Sequence, residues 1–112
     1  MSRGIVERLS KRYPGLLYSS IVEVIRRRIA LVERELAEVN TRLRRFEEKY
    51  GVCLEEYERS MGEGFEEHEE WVEWRFLVEA KKSLEAELDE LKKLLGEALR
   101  EVQRHHSGSR RA

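Results

Sequence analysis

The sequence predicts an all-α protein: a long antiparallel helical hairpin, coiled-coil-like in its seam, with one short helix before it and another in the connecting elbow. Three observations carry that expectation. Hydrophobic and charged residues each make up 40% of the 112 residues, with a single proline, which suits long amphipathic helices better than a thick globular core. Apolar residues recur at heptad spacing over two long stretches. A Glu- and Gly-containing segment separates them. The length bounds the chain to a single domain, expected over residues 1–105, with 106–112 as a disordered tail.

The elements follow in order. Residues 4–13 (GIVERLSKRY) form a short helix stopped by Pro14-Gly15. The first long helix covers 20–50 and opens on Ser20-Ile21-Val22-Glu23, a capping box in which serine caps a forward amide and glutamate reaches back. Its heptad places Val22, Ile29, Leu36, Leu43 and Tyr50 at a, and Ile25, Val32, Val39, Phe46 and Cys53 at d. Val24 and Leu31 widen the apolar face early, so these turns touch more than one neighbour. Gly51 is a natural stop. Residues 54–61 (LEEYERSM) form the elbow helix, broken by Met61-Gly62-Glu63-Gly64. The second long helix covers 66–105, with Trp74, Lys81, Leu88, Leu95 and Val102 at a and Leu77, Leu84, Leu91 and Ala98 at d. A lone hairpin buries little for its size, so further burial is expected from the N-terminal helix, from self-association into a homo-oligomer, or from a partner.

Charge is unevenly spread although the net charge is −1. Residues 1–50 carry twelve Lys/Arg against seven Glu (+5), residues 53–74 one Arg against nine Glu (−8), and residues 75–112 nine Lys/Arg against seven acidic groups (+2). Such a balance gives no global field that selects nucleic acid or an anionic membrane. The single cysteine, Cys53, excludes an internal disulfide and suits a reducing compartment. No apolar run nears the ~20 residues of a membrane span, and MSRGIVERLSKRYPG lacks the apolar centre of a signal peptide. A cytoplasmic protein is expected. Abundant glutamate, with Asp89, Asn40 and Gln103 the sole residues of their kinds, is the composition of a thermophile.

Candidate chemistry is sparse. His68 lies among Glu66, Glu67, Glu69 and Glu70, yet the di-iron Glu-x-x-His pattern finds Phe65 where it needs glutamate. The zinc pattern H-E-x-x-H finds Val72 where it needs the second histidine. Carboxylate catalysis needs one group raised by an apolar pocket, and none is signalled. Lys81 at a seam position sets register or snorkels; pairing it with Arg28 to hold an anion is the enzymatic alternative. Arg26-Arg27-Arg28 fan through about 200° of a helix and do not line one groove. No metal, cofactor or catalytic residue is expected, and nucleic acid is not the expected partner.

The tryptophans are more informative. Trp71, Trp74 and Val78 fall at i, i+3 and i+7, with Phe65 and Val72 close by. One reading makes them a cap that packs on Phe46, Tyr50 and Tyr57 at the turn. The other makes them an interface anchor rimmed by Glu66, Glu67, Glu69, Glu70 and Glu73, suited to a basic partner. Both can hold together. The expected contact set is therefore Tyr57, Phe65, Glu66, Glu67, Glu69, Glu70, Trp71, Glu73, Trp74 and Val78.

The run Phe46-Glu47-Glu48-Lys49-Tyr50-Gly51, then Leu54-Glu55-Glu56-Tyr57-Glu58-Arg59, then Trp71-Val72-Glu73-Trp74 resembles a group of small helical proteins of archaea and bacteria. These are the antitoxin halves of toxin–antitoxin pairs, with a pattern near F-E-x-K-Y-G-x-S-x-E-E-[FY]-E before an acidic spacer. The resemblance spans about residues 40–95. It departs at Cys53, where the pattern carries a serine N-cap, so the elbow helix is expected to start a residue off or to be less firmly fixed. The resemblance implies no catalysis. It implies neutralisation of a protein toxin, one that cleaves RNA and is encoded by a neighbouring gene. Two alternatives stay open: a self-assembling coiled-coil scaffold or chaperone-like protein, and weak nucleic-acid binding through the basic ends.

Overall fold

The computed structural model describes residues 3–61 and 68–111, and the side chains of 4–61 and 68–105. Its elements are α1 (Arg3–Arg12), α2 (Pro14–Tyr50), α3 (Leu54–Met61) and α4 (Glu69–Arg111). The class is all-α, with α2 and α4 packed as an antiparallel hairpin. Tyr18 near the start of α2 stacks on His105 near the end of α4, at 5.5 Å between ring centres. Phe46 near the end of α2 stacks on Trp74 near the start of α4, at 5.4 Å. The seam is the one the heptad predicts: Val22, Val32 and Leu43 are buried and Ile25, Ile29, Leu36, Val39, Phe46 and Tyr50 half-buried, while Cys53 is exposed.

The helix starts differ from the sequence reading. α2 begins at Pro14, so Ser20-Glu23 lies inside the helix and caps nothing. Proline is well placed in a first turn, where its missing N–H has no intrahelical partner to lose. The Tyr13 carbonyl accepts the Leu17 amide at 3.0 Å, while the Tyr13 amide still closes α1 on the Leu9 carbonyl at 2.8 Å. Once a helix has nucleated at Pro14, propagation through Ser20 needs no second nucleus. α4 opens at Glu69 rather than residue 66, with the His68 carbonyl accepting the Val72 amide at 3.2 Å and Glu69 and Glu70 in the favourable first turn. It runs on to Arg111, through residues expected as a disordered tail. Ser107, Gly108 and Ser109 are weak helix formers, yet each costs only up to about 1 kcal/mol when added to an existing helix.

The elbow helix has the expected bounds, Leu54–Met61. The Cys53 carbonyl accepts the Tyr57 amide at 3.0 Å, so the start is at Leu54 despite the missing serine cap. Gly51 ends α2 in the left-handed region, φ 72°, with its amide on the Glu47 carbonyl at 2.7 Å.

The chain gathers into two compact units. Residues 32–87 form an elbow unit, and residues 1–31 with 88–112 a terminal unit. The elbow unit has a built core of Leu43, Leu54, Tyr57, Trp74 and Leu77, backed by Val39, Phe46, Tyr50, Val52, Trp71 and Val78. In the terminal unit only Val22 and Ala98 are buried among the described residues.

A Cβ at Gly51 would meet nothing within 4 Å, so substitution there tests backbone strain alone. Gly51→Ala is expected to lower stability by about 1–2 kcal/mol, and Gly51→Asn by less, in urea unfolding followed by far-ultraviolet circular dichroism.

Candidate functional site: the aromatic elbow and its acidic face

Four rings from three helices meet at the elbow. Trp74 of α4, 1% exposed, lies near-parallel to Phe46 at 5.4 Å and to Tyr50 at 5.5 Å, and tilts against Tyr57 at 5.2 Å. Tyr50 and Tyr57 are themselves 4.8 Å apart. The heptad brings Phe46 and Trp74 together, and Gly51 turns the chain so that α3 lays Tyr57 on both. Offset and tilted rings at these distances gain beyond the area they bury.

Two carboxylates fasten this cluster. Glu70 accepts hydrogen bonds from Lys49 Nζ at 2.5 Å and from the Tyr50 hydroxyl, which ties the first turn of α4 to the last of α2. Glu58 accepts the indole N–H of Trp71 at 2.7 Å, which ties α4 to α3. The donors on Lys49 and then Tyr50 hold the Glu70 carboxyl below its ordinary 4.5. Each of the two hydrogen bonds in turn raises its donor, Lys49 above 10.5 and Tyr50 above 10.0.

These contacts redistribute the expected contact set. Trp74 and Tyr57 are core residues, so they cannot touch a partner without opening the elbow. Trp71 and Val78 are half-buried and pack on the core. Glu70 is engaged in the clasp, whereas Glu69 and Glu73 are exposed. Phe65, Glu66 and Glu67 lie outside the described residues.

The exposed apolar pair at the elbow is one the sequence analysis did not select. Phe76 is 70% exposed and Val72 54%, one turn apart on α4. Phe76 borders a shallow groove with Glu35, Glu38, Val39, Arg42 and Ala80. The signal was in the register: with Trp74 at a and Leu77 at d, Phe76 falls at c, away from the seam. Residues 32–87 carry nine Lys/Arg against seventeen Glu, or −8, so this apolar pair sits in an acidic unit.

Among the described residues no group of three or more His, Cys, Asp or Glu could hold a metal ion, and His68 is exposed. Among the same residues no helix is long and apolar enough to cross a membrane. No protein-family model, curated protein or solved structure matches the chain.

Removing the central ring leaves a hole that three helices line. Trp74→Ala is expected to cost about 3–5 kcal/mol in urea unfolding. The Glu70 clasp also sets a pH signature. A carboxyl depressed in the folded state stabilises above its unfolded value and loses that contribution as pH falls through the folded one; Lys49 and Tyr50, both raised, lose theirs as pH climbs through their folded values. Thermal midpoints of Glu70→Gln should therefore lie below wild type near neutrality and converge on it in acid, below 4.5, measured by calorimetry across pH.

Proposed function

We propose that the protein is a non-enzymatic helical interaction module that docks its acidic elbow unit on a basic protein partner and blocks it, as an antitoxin neutralises its toxin. The observation that carries the docking reading is the Val72–Phe76 pair, a β-branched and an aromatic side chain held in water at 54% and 70% exposure on a helix whose neighbouring residues are locked in the core. An isolated exposed apolar residue is ordinary, but an aromatic fixed on a rigid element amid like charge has the composition of an interface anchor. Trp74 supplies the rigidity. It fixes the turn of α4 that presents Val72 and Phe76, so little side-chain order is lost on association. The surrounding glutamates favour a basic surface and speed encounter with it.

A cleft that holds RNA is such a surface, and an acidic anchor seated there would exclude the nucleic acid by charge and by shape. The antitoxin role itself draws on the sequence resemblance across residues 40–95, and the partner expected is the product of a neighbouring reading frame.

The test is co-purification with that product, then substitution of the exposed pair. Val72→Ser with Phe76→Ser is expected to raise the Kd by tenfold or more while leaving helicity unchanged, and Glu69→Lys with Glu73→Lys to slow association and flatten its salt dependence. Undiminished binding by the Val72/Phe76 variant would remove this surface from the assignment. Failure of the neighbouring product to bind wild type would remove the antitoxin role.

A further inference from the structure

The two basic ends of the sequence come together in the fold. Residues 1–31 and 88–112 form one unit with thirteen Lys/Arg against six acidic residues, or +7, while the elbow unit carries −8. A net charge of −1 thus conceals two units of opposite sign. The basic unit also holds a groove of about 660 Å³ between α2 and α4. Val22, Ala30, Leu99 and Val102 line it with apolar surface, and Arg26 and Arg27 line it with charge. Glu23, the one acid that lines it, is held by Arg27 at 2.7 Å, so the groove stays positive.

The elbow presents the reverse of this groove. Val72 and Phe76 stand exposed one turn apart on α4, with Glu69 and Glu73 exposed within a turn of Val72. The nearest base, Arg75, is engaged by Glu79 at 3.1 Å. An apolar anchor with a carboxylate border therefore lies on the same chain as an apolar groove with a guanidinium border. Lengths agree as well. The groove follows α2 from Ser19 to Ala30, about 16 Å of helix, and Glu69 to Phe76 spans about 10.5 Å.

We infer that a second copy of this chain fills the groove, head to tail: the Val72–Phe76 anchor of one copy enters the terminal unit of the next, with Glu69 and Glu73 facing Arg26 and Arg27. This is the helix-in-groove mode of recognition. Charge selects it among the contacts two copies can make. Elbow on elbow sets −8 against −8, and terminal unit on terminal unit sets +7 against +7; only the crossed contact joins opposite signs. The inference rests on the reading of Val72 and Phe76 as a docking anchor and goes beyond it. Self-association and partner binding use one anchor, so an assembled copy is masked from the partner. A crossed contact leaves a groove on one copy and an anchor on the other, and such contacts close into rings or extend.

Sedimentation velocity on the full chain at low salt, over a dilution series, is expected to show a weight-average mass that climbs above 13.4 kDa with concentration and falls back as salt is raised. Arg26→Glu with Arg27→Glu should weaken self-association at least tenfold, and so should Val72→Ser with Phe76→Ser. All four positions are exposed, so helicity should be kept. Mixed together, the two variants should associate one to one, because one keeps its anchor and the other its groove. The Arg26/Arg27 variant should also bind the neighbouring gene product at least as tightly as wild type, which separates loss of self-association from failure of the docking reading. A one-chain mass at every concentration overturns the inference and leaves the groove to an acidic helix of another protein. A mixture that stays monomeric overturns it too, as does either variant assembling alone like wild type, the mark of a symmetric contact.

Discussion

The indole of Trp74 is the interaction on which the elbow depends. It is the most deeply buried ring of the cluster, and it meets α2 through Phe46 and Tyr50 and α3 through Tyr57. Two long helices joined by a turn have no reason to keep their register at that turn unless something there is buried. A single indole removes the need for a wide seam locally, because three rings contribute area against it that leucines at the same positions would not. The clasps on either side are arranged for the same end. Glu70 and Glu58 receive donors from Lys49, Tyr50 and Trp71, and no buried side-chain polar atom among the described residues lacks a partner. The elbow is thus the part of the molecule that folds from its own contacts, most of them between residues fewer than thirty apart in sequence, a separation that closes quickly.

The terminal unit is built from the same two helices and lacks an equivalent. Its buried residues among those described, Val22 and Ala98, are small, and its stacked pair, Tyr18 on His105, lies outside that buried set. The contrast places the chain's hydrophobic residues in two roles: those of the elbow hold the hairpin, and many of those near the termini remain in water. A surface with that much apolar area is ordinary at an association site and costly elsewhere.

Much of this was readable from residue spacing, and the failures have physical causes. The seams were legible because a 3.5-residue period persists through four heptads of α2 and through α4, and no other structure satisfies it. The start of α2 was not, because Pro14 and Ser20 are both good first-turn signals and local chemistry does not rank them. The division into two units left no mark either, since the heptad passes through Leu31 without interruption. At the site, spacing placed Trp71, Trp74 and Val78 on one stripe but could not say what covers it; Tyr57 does so from another helix. The exposure of Phe76 is legible in its c position, away from the seam.

Glu58 holds Trp71 and Tyr57 holds Trp74, so α3 is fastened to α4 by side chains of the two helices themselves. Glu70 fastens α4 to α2 in the same way, through Lys49 and Tyr50. Both of the other helices are thus pinned to one five-residue stretch at the head of α4, residues 70–74, and the opening turns of that helix act as the keystone of the elbow.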